Sequence, residues 1–291
     1  MSAVDTEQTG RPSASASRSP AQRESRKLAQ RVLSFGAKSP RPVATAVGAA
    51  MLGALIALWW ALSATQTVST LFLPTPLEVG AKLVELASNG TLFADARMSL
   101  YRMAVAFLIS SAVAVPLGTV AGSYGFWGAA IEPLMDFVRY MPVVAFVPLT
   151  ILWFGTDDAQ KFVIVGIGTF FQQVLMVMDV VKRVPPEFIA FGRTLGLPGR
   201  RILMRIVLPF SLPGIWDVLR VSLGWAWTWL VLAELVAADS GLGYRIVVSQ
   251  RYLQTDTIMA YILVLGVLGL VADQLMRALE CRLFPYAKGA R

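Results

Sequence analysis

Few residues of this chain can do chemistry, and most of those stand inside apolar stretches. Gln172 and Gln173 interrupt a run of Phe, Val, Ile and Gly. Trp225 and Trp229 stand one helical turn apart in another run, with Glu234 just beyond them. Amides, indole N–H groups and a carboxylate in such company can bind a polar solute or bond one another across helices, because a polar group away from water needs a partner. Covalent chemistry has far less to work with. The 291 residues include no histidine and one cysteine, Cys281, which removes zinc–histidine sites, histidine general bases and serine–histidine triads. No Gly-x-x-x-x-Gly-Lys-Ser/Thr phosphate loop occurs, and no nucleophile stands beside a base. The chain is expected to be no enzyme, with no cofactor or metal of its own.

The elements that position these groups follow from composition. The chain is 56% apolar and only 15% charged, a balance that suits lipid better than water. Runs long enough to cross about 30 Å of hydrocarbon fall at Val43–Ala64, Met98–Gly122, Ile131–Phe154, Phe162–Val181, Leu212–Ala237 and Thr257–Leu279. The fold class is therefore an all-α membrane protein with six transmembrane helices. Pro133, Pro142 and Pro148 predict a bent third helix. Asp136 with Arg139, Asp217 with Arg220, and Asp273 with Arg277 have the spacing of ion pairs along one helix.

Residues 1–42 are rich in Ser, Arg, Ala and Pro and read as a disordered basic cytoplasmic tail, which leaves 43–291 as the six-span membrane domain. The formal charge of +8 fits a solvated tail near anionic headgroups better than a nucleic-acid-binding arm, and no nucleic acid is expected. Lys and Arg concentrate in residues 1–42, in the loop 182–211 and in 280–291; the opposite connections carry fewer, among them Lys82, Lys161, Arg245 and Arg251. That asymmetry places both termini in the cytoplasm. Between the first two spans, Thr75-Pro76-Leu77-Glu78 forms a capping box with Pro at the first helical position. Val79, Leu83 and Leu86 then share a face up to Asn89-Gly90, so a short amphipathic helix lies on the outer interface.

The most informative segment is the inner loop, residues 182–211. Pro185-Pro186 ends the fourth span and opens a helix with Glu187 in its first turn. Gly196 to Gly199, with Pro198 between, makes a tight turn. A second helix follows with Arg200, Arg201 and Arg205, and Leu208-Pro209 is expected to end it. The result is a basic, partly apolar knob shaped to dock on a cytoplasmic partner.

This segment resembles the loop signature of permease subunits of ATP-binding cassette importers: Glu-Ala-Ala, three residues, Gly, nine residues, then Ile-x-Leu-Pro. Here nine residues separate Gly196 from Ile206-Val207-Leu208-Pro209. Ala190-Phe191-Gly192 occupies the Glu-Ala-Ala positions, so the acidic residue is missing there and Glu187 stands one turn earlier. Arg193-Thr194-Leu195-Gly196, Leu212-Pro213-Gly214, Ala233-Glu234-Leu235, Gly241-Leu242-Gly243-Tyr244, Leu73-Pro74-Thr75-Pro76 and Val147-Pro148-Leu149-Thr150 are similar to the branch importing aliphatic sulfonates, taurine and nitrate.

The resemblance implies a subunit of the bacterial inner membrane that works as a homodimer, docked at this coupling loop on two cytoplasmic subunits that bind ATP and Mg, and fed by an extracytoplasmic solute-binding protein. Glu187, Ala190, Phe191, Gly192, Arg193, Thr194, Leu195, Gly196, Leu208 and Pro209 are its coupling residues. Gln172, Gln173, Met176, Trp225, Trp229 and Glu234 are candidates for the translocation pathway, and each also fits plain helix packing. A stand-alone secondary transporter and a non-catalytic assembly factor are the alternative readings.

Overall fold

The computed structural model describes residues 41–65 and 68–286; the predicted tail lies almost wholly outside them. The chain divides into two units, residues 1–61 and 62–291. The described residues are helical, with no strand among them. In order they form α1 (Arg41–Ala64), α2 (Pro76–Ser88), α3 (Thr91–Ser123), α4 (Gly125–Arg139), a 3-10 turn (Val143–Phe146), α5 (Val147–Phe154), α6 (Asp158–Lys182), α7 (Pro186–Thr194), α8 (Gly199–Ile202), a π turn (Leu203–Val207), α9 (Leu208–Ala237), α10 (Leu242–Arg251) and α11 (Thr255–Leu283).

Local signals set several boundaries as the sequence predicts. At α2, the Thr75 hydroxyl accepts the Glu78 N–H at 3.2 Å, and the Glu78 carboxylate accepts the Thr75 N–H at 2.7 Å. Asn89 caps its far end, and Gly90 turns away at φ 77°.

The core of the second unit is a pair of helices, α3 and α6, that run parallel. Arg102 meets Asp158 at one end, Ser110 meets Thr169 midway, and Gly122 lies against Met178 and Val181 at the other. A Cβ on Gly118 or Gly122 would stand 2.7–2.8 Å from the α6 backbone, so glycine sets how closely these helices approach. Parallel neighbours require the chain between them to return across the full depth. It does so beside α6. Glu132 pairs with Lys182 at 2.9 Å, Met135 packs with Val174 and Met178, Val147 packs with Ile164, and Gln160 donates to Thr150 at 3.3 Å. Residues 125–154 are therefore one span broken in the middle by 85°, not a re-entrant loop. The prolines predict a bend. The break is sharper because Pro142 follows the last turn of α4 and opens a 3-10 turn. With α1, α3, α6, the helix ending in α9, and α11, the described residues contain six segments able to cross a bilayer.

Two further boundaries depart from the sequence reading. Helix α3 begins at Thr91 rather than near Met98, because Asp95 and Ser99 find bonding partners inside the bundle. Leu208-Pro209 does not end the second loop helix. Residues 199–237 run as one helix of 39 residues. The π turn at Leu203–Val207 widens the ladder where Pro209 lacks an N–H and crowds the preceding carbonyls.

Candidate functional site

The loop knob forms as two short helices around a turn. Pro186 starts α7, and after Thr194 the chain reverses at Gly196, whose φ of 70° disfavours any residue with a Cβ. The Leu197 N–H closes the turn on the Gly192 carbonyl at 3.1 Å. Gly192 is buried because α8 crosses it closely: a Cβ there would stand 2.8 Å from Ile206 Cδ1 and 3.2 Å from Ile202 Cγ1. Beneath the knob, Val177, Val181, Val184, Ile202, Val207, Ile215 and Val218 form one buried cluster. This cluster fastens the knob to the adjoining ends of α6 and α9.

The outer side of the knob is different. Phe188, Phe191 and Leu195 are exposed, the last two by more than 60%. Glu187, Ala190, Arg193, Thr194, Gly196, Arg200 and Arg201 are exposed beside them, and a Cβ on Gly196 would touch nothing within 4 Å. Glu187 has no ion pair among the described residues. Leu208 is half-buried and Pro209 exposed in the first turn of α9, where the Pro209 carbonyl accepts the Tyr286 hydroxyl at 3.1 Å.

At mid-depth the polar side chains of three helices meet. Gln173 is fully buried. Its Nε2 donates to Ser111 at 3.1 Å and to Ser222 at 2.9 Å, and its Oε1 accepts from Ser110 at 3.3 Å. Thr169 closes the cluster by donating to Ser110 at 3.0 Å. Both ends of the Gln173 amide are satisfied within the chain, so it serves as a node joining α3, α6 and α9.

At the end of the bundle away from the knob, Arg102 is 2% exposed. Its guanidinium donates to Asp158 at 2.6 Å, to Glu234 at 3.1 Å and to the Ser240 carbonyl at 2.6 Å. Glu234 also accepts from Ser99 at 2.8 and 2.9 Å and from the Gly243 N–H at 2.9 Å. Asp95 takes Arg245 at 3.0 Å and the Tyr261 hydroxyl at 2.8 Å. Buried Lys161 donates to the carbonyls of Thr156 and Asp157. A cavity of about 710 Å³ opens beside this network, lined in part by Arg102, Asp157, Asp158, Lys161 and Asp239. Outside the spans, Asp239 is held below the usual carboxylate range, first by its own backbone N–H and then by the Ser240 hydroxyl. Arg245 is held above its ordinary value by its bond to Asp95.

The remaining pathway candidates separate. Gln172, Trp225 and Trp229 line one cavity of about 230 Å³ with Arg139, Met141 and Gly168. Met176, half-buried, packs with the cluster under the knob. The three predicted ion pairs form, at 3.0 Å for Asp136–Arg139, 3.6 Å for Asp217–Arg220 and 2.8 Å for Asp273–Arg277. Arg220 also reaches Asp273 and Glu280. Sequence reading missed Arg102, Asp95 and Ser99. A signal for Arg102 existed, since a lone cation inside an apolar span calls for a partner. Nothing local named Glu234, 132 residues away.

The chain is similar to known proteins. The sequence profile of the family described as binding-protein-dependent transport system inner membrane component matches residues 114–285. SsuC of Bacillus subtilis (strain 168), a permease protein named for aliphatic sulfonates transport, is 32% identical over 232 residues, spanning 80% of this chain and 84% of its own. The taurine transport system permease protein TauC of Escherichia coli (strain K12) is 31% identical over 265 residues, spanning 89% of this chain and 96% of its own. Among solved structures, an inward facing MetNI methionine ABC transporter matches with a TM-score of 0.52 at 18% identity, over 62% of this chain and 92% of that one. That likeness speaks to the fold alone.

Proposed function

The chain belongs to the family of binding-protein-dependent transport system inner membrane components, and we propose that it forms one half of a solute pathway driven by ATP bound elsewhere. As a multi-pass membrane permease it is a transport component rather than a catalyst. In our reading two copies pair, and each knob seats on one of two cytoplasmic ATP-binding subunits that hold ATP and Mg. An extracytoplasmic binding protein delivers the solute. The positive-inside asymmetry puts the knob and both termini in the cytoplasm. The solute is a small anion of the sulfonate, taurine or nitrate kind, as the names of the relatives and the sequence motifs suggest.

The observation that carries this reading is the two-sided construction of residues 186–201. One side is bolted to α6 and α9 through a single buried cluster. The other presents Phe191, Leu195 and arginines to solvent, with half-exposed Phe188 beside them against the ring of Phe210 at 5.8 Å. An exposed apolar patch rimmed by charge fits a protein partner. A push on it cannot be absorbed locally, because α8 continues without a stop into the 39-residue helix that ends at Ala237. The far ends of α6 and α9 both contact Arg102. Displacement of the knob would therefore tilt α6 and α9 about that anchored end, a motion suited to alternating access.

The test uses Gly196→Asp in the full-length chain. A side chain there adds bulk and charge on the open side of the turn, together with the backbone strain of a Cβ at φ 70°. Membrane insertion should be retained, the ATP-binding subunit should no longer copurify, and solute uptake with its ATP hydrolysis should be lost. Normal uptake by this variant, or uptake by the wild-type chain alone in liposomes, would overturn the assignment.

A further inference from the structure

We propose that the break in the third span builds an oxyanion-binding site of this chain's own, formed by Arg139, Gln172, Trp225 and Trp229. The inference rests on the solute class given above and adds where, within the membrane, such a solute is held.

The first observation is depth. Arg139 is the last residue of α4 and lines a cavity with Gly168 and Gln172, near the middle of α6, which runs from Asp158 to Lys182. The segment it belongs to crosses the bundle from the level of Lys182 to the level of Gln160. Arg139 therefore sits well inside the hydrocarbon zone, where a cation is costly and is kept mainly for function. Arg102, buried at the end of the bundle away from the knob, is sealed and bonded to Asp158, Glu234 and Ser240. Arg139 is not: it is exposed, its Nε bonds Asp136 at 3.0 Å, its Nη2 bonds the Tyr140 hydroxyl at 3.1 Å, and its Cζ lies 4.9 Å from the Tyr140 ring centroid. Nη1 makes no bond among the described residues.

The second observation is the lining. The cavity of about 230 Å³ brings together Arg139, Gln172, Trp225 and Trp229 from three helices. Neither indole N–H and neither end of the Gln172 amide has a partner among the described residues. Its neighbour Gln173, turned about 100° round the same helix, is fully bonded. The cavity thus offers a guanidinium, two indole N–H groups and an amide as donors, and no carboxylate lines it. Donor-bearing side chains beside an arginine that shares its charge with Asp136 at 3.0 Å suit a small oxyanion better than a cation.

The third observation is the break itself. An unwound turn at mid-depth is tolerated where it lines a cavity, and in secondary transporters such breaks form the solute sites. Here residues 140–142 separate α4 from the 3-10 turn, and Met141 lines the cavity.

The test is calorimetric titration of ethanesulfonate, with neutral ethanesulfonamide as control, into the full-length permease with its copurified ATP-binding subunit in nanodiscs. The binding protein is left out. Saturable binding of the sulfonate alone is expected, weakened at least about tenfold in Arg139→Gln and partly recovered in Arg139→Lys. Arg277→Gln, which breaks a surface pair, should bind as wild type does. Equal binding by Arg139→Gln, or no binding of the sulfonate by wild type, overturns the site. If Arg139→Gln fails to insert, Trp225→Phe decides the question: weakened binding supports the site and unchanged binding overturns it. Failure of the general reading looks different, because no ATP-binding subunit would copurify whatever the titration shows.

Discussion

The two ends of the bundle treat charge in opposite ways. At one end, Arg102, Glu234, Asp95 and Lys161 are buried, and each meets its partner inside the chain. At the other, Glu187, Arg193, Arg200 and Arg201 stand in solvent beside exposed Phe188, Phe191 and Leu195. Desolvated charge has to be matched within the fold, since an isolated buried ion is severely penalised. Solvated charge needs no internal match and is left for a partner. The saturated end thus reads as an anchor, and the unsaturated end reads as the surface on which an external force acts.

The contrast can be broken most directly at Arg102. Arg102→Ala leaves Glu234 buried without its cation, a situation that costs about 3–5 kcal/mol. We expect a sharp loss of folded protein and of thermal stability in detergent. Arg102→Met combined with Glu234→Gln should recover part of it, because the paired charge disappears. An Arg102→Ala chain as stable as wild type would show that the network does not anchor the helices.

A smaller effect sharpens the other side. Gly192→Val forces a branched side chain against Ile206 and Ile202, an overpacking cost of about 1–3 kcal/mol. The knob should lift from its seat while the Arg102 end stays intact. Transport should fall and protease sensitivity should rise within residues 186–202, with the bundle's melting little changed. Global unfolding instead would mean that knob and bundle are not separable units.

The smallest effect concerns acid. Asp239 has a folded pKa below its ordinary value, so its contribution is complete above about pH 4 and is lost as pH falls through the lower folded value. Stability should be flat in this term between pH 5 and 8. In Asp239→Asn the acid-side decline should be slightly shallower, read from thermal melts at stepped pH. The carboxylate is 91% exposed and 3.6 Å from Arg102, so solvent screening keeps the term small. A large change near neutral pH would contradict it.

Much of the fold was legible because its signals are local. Span lengths follow from runs of apolar residues, the capping box from Thr75 and Glu78, and the knob from prolines, glycines and arginines at short spacing. The pathway candidates were less legible. Gln172 and Gln173 look alike in sequence, yet one faces a cavity and the other is locked to three serines. Adjacent residues on a helix point about 100° apart, and only the neighbours decide what each direction meets. Gly192, read as a coupling residue of the loop, is the contact point for Ile202 and Ile206.

By itself the sequence determined a chain of membrane-spanning helices with a basic elbow on one side, because hydropathy, helix caps and turn residues act within a few positions of one another. Only the tertiary structure decided that Arg102 answers Glu234, that the third span breaks yet still crosses, and that Arg139 joins two tryptophans from a distant helix. Those pairings join residues tens to more than a hundred positions apart. No local pattern selects among the partners a polar group could have, whereas close packing leaves room for one.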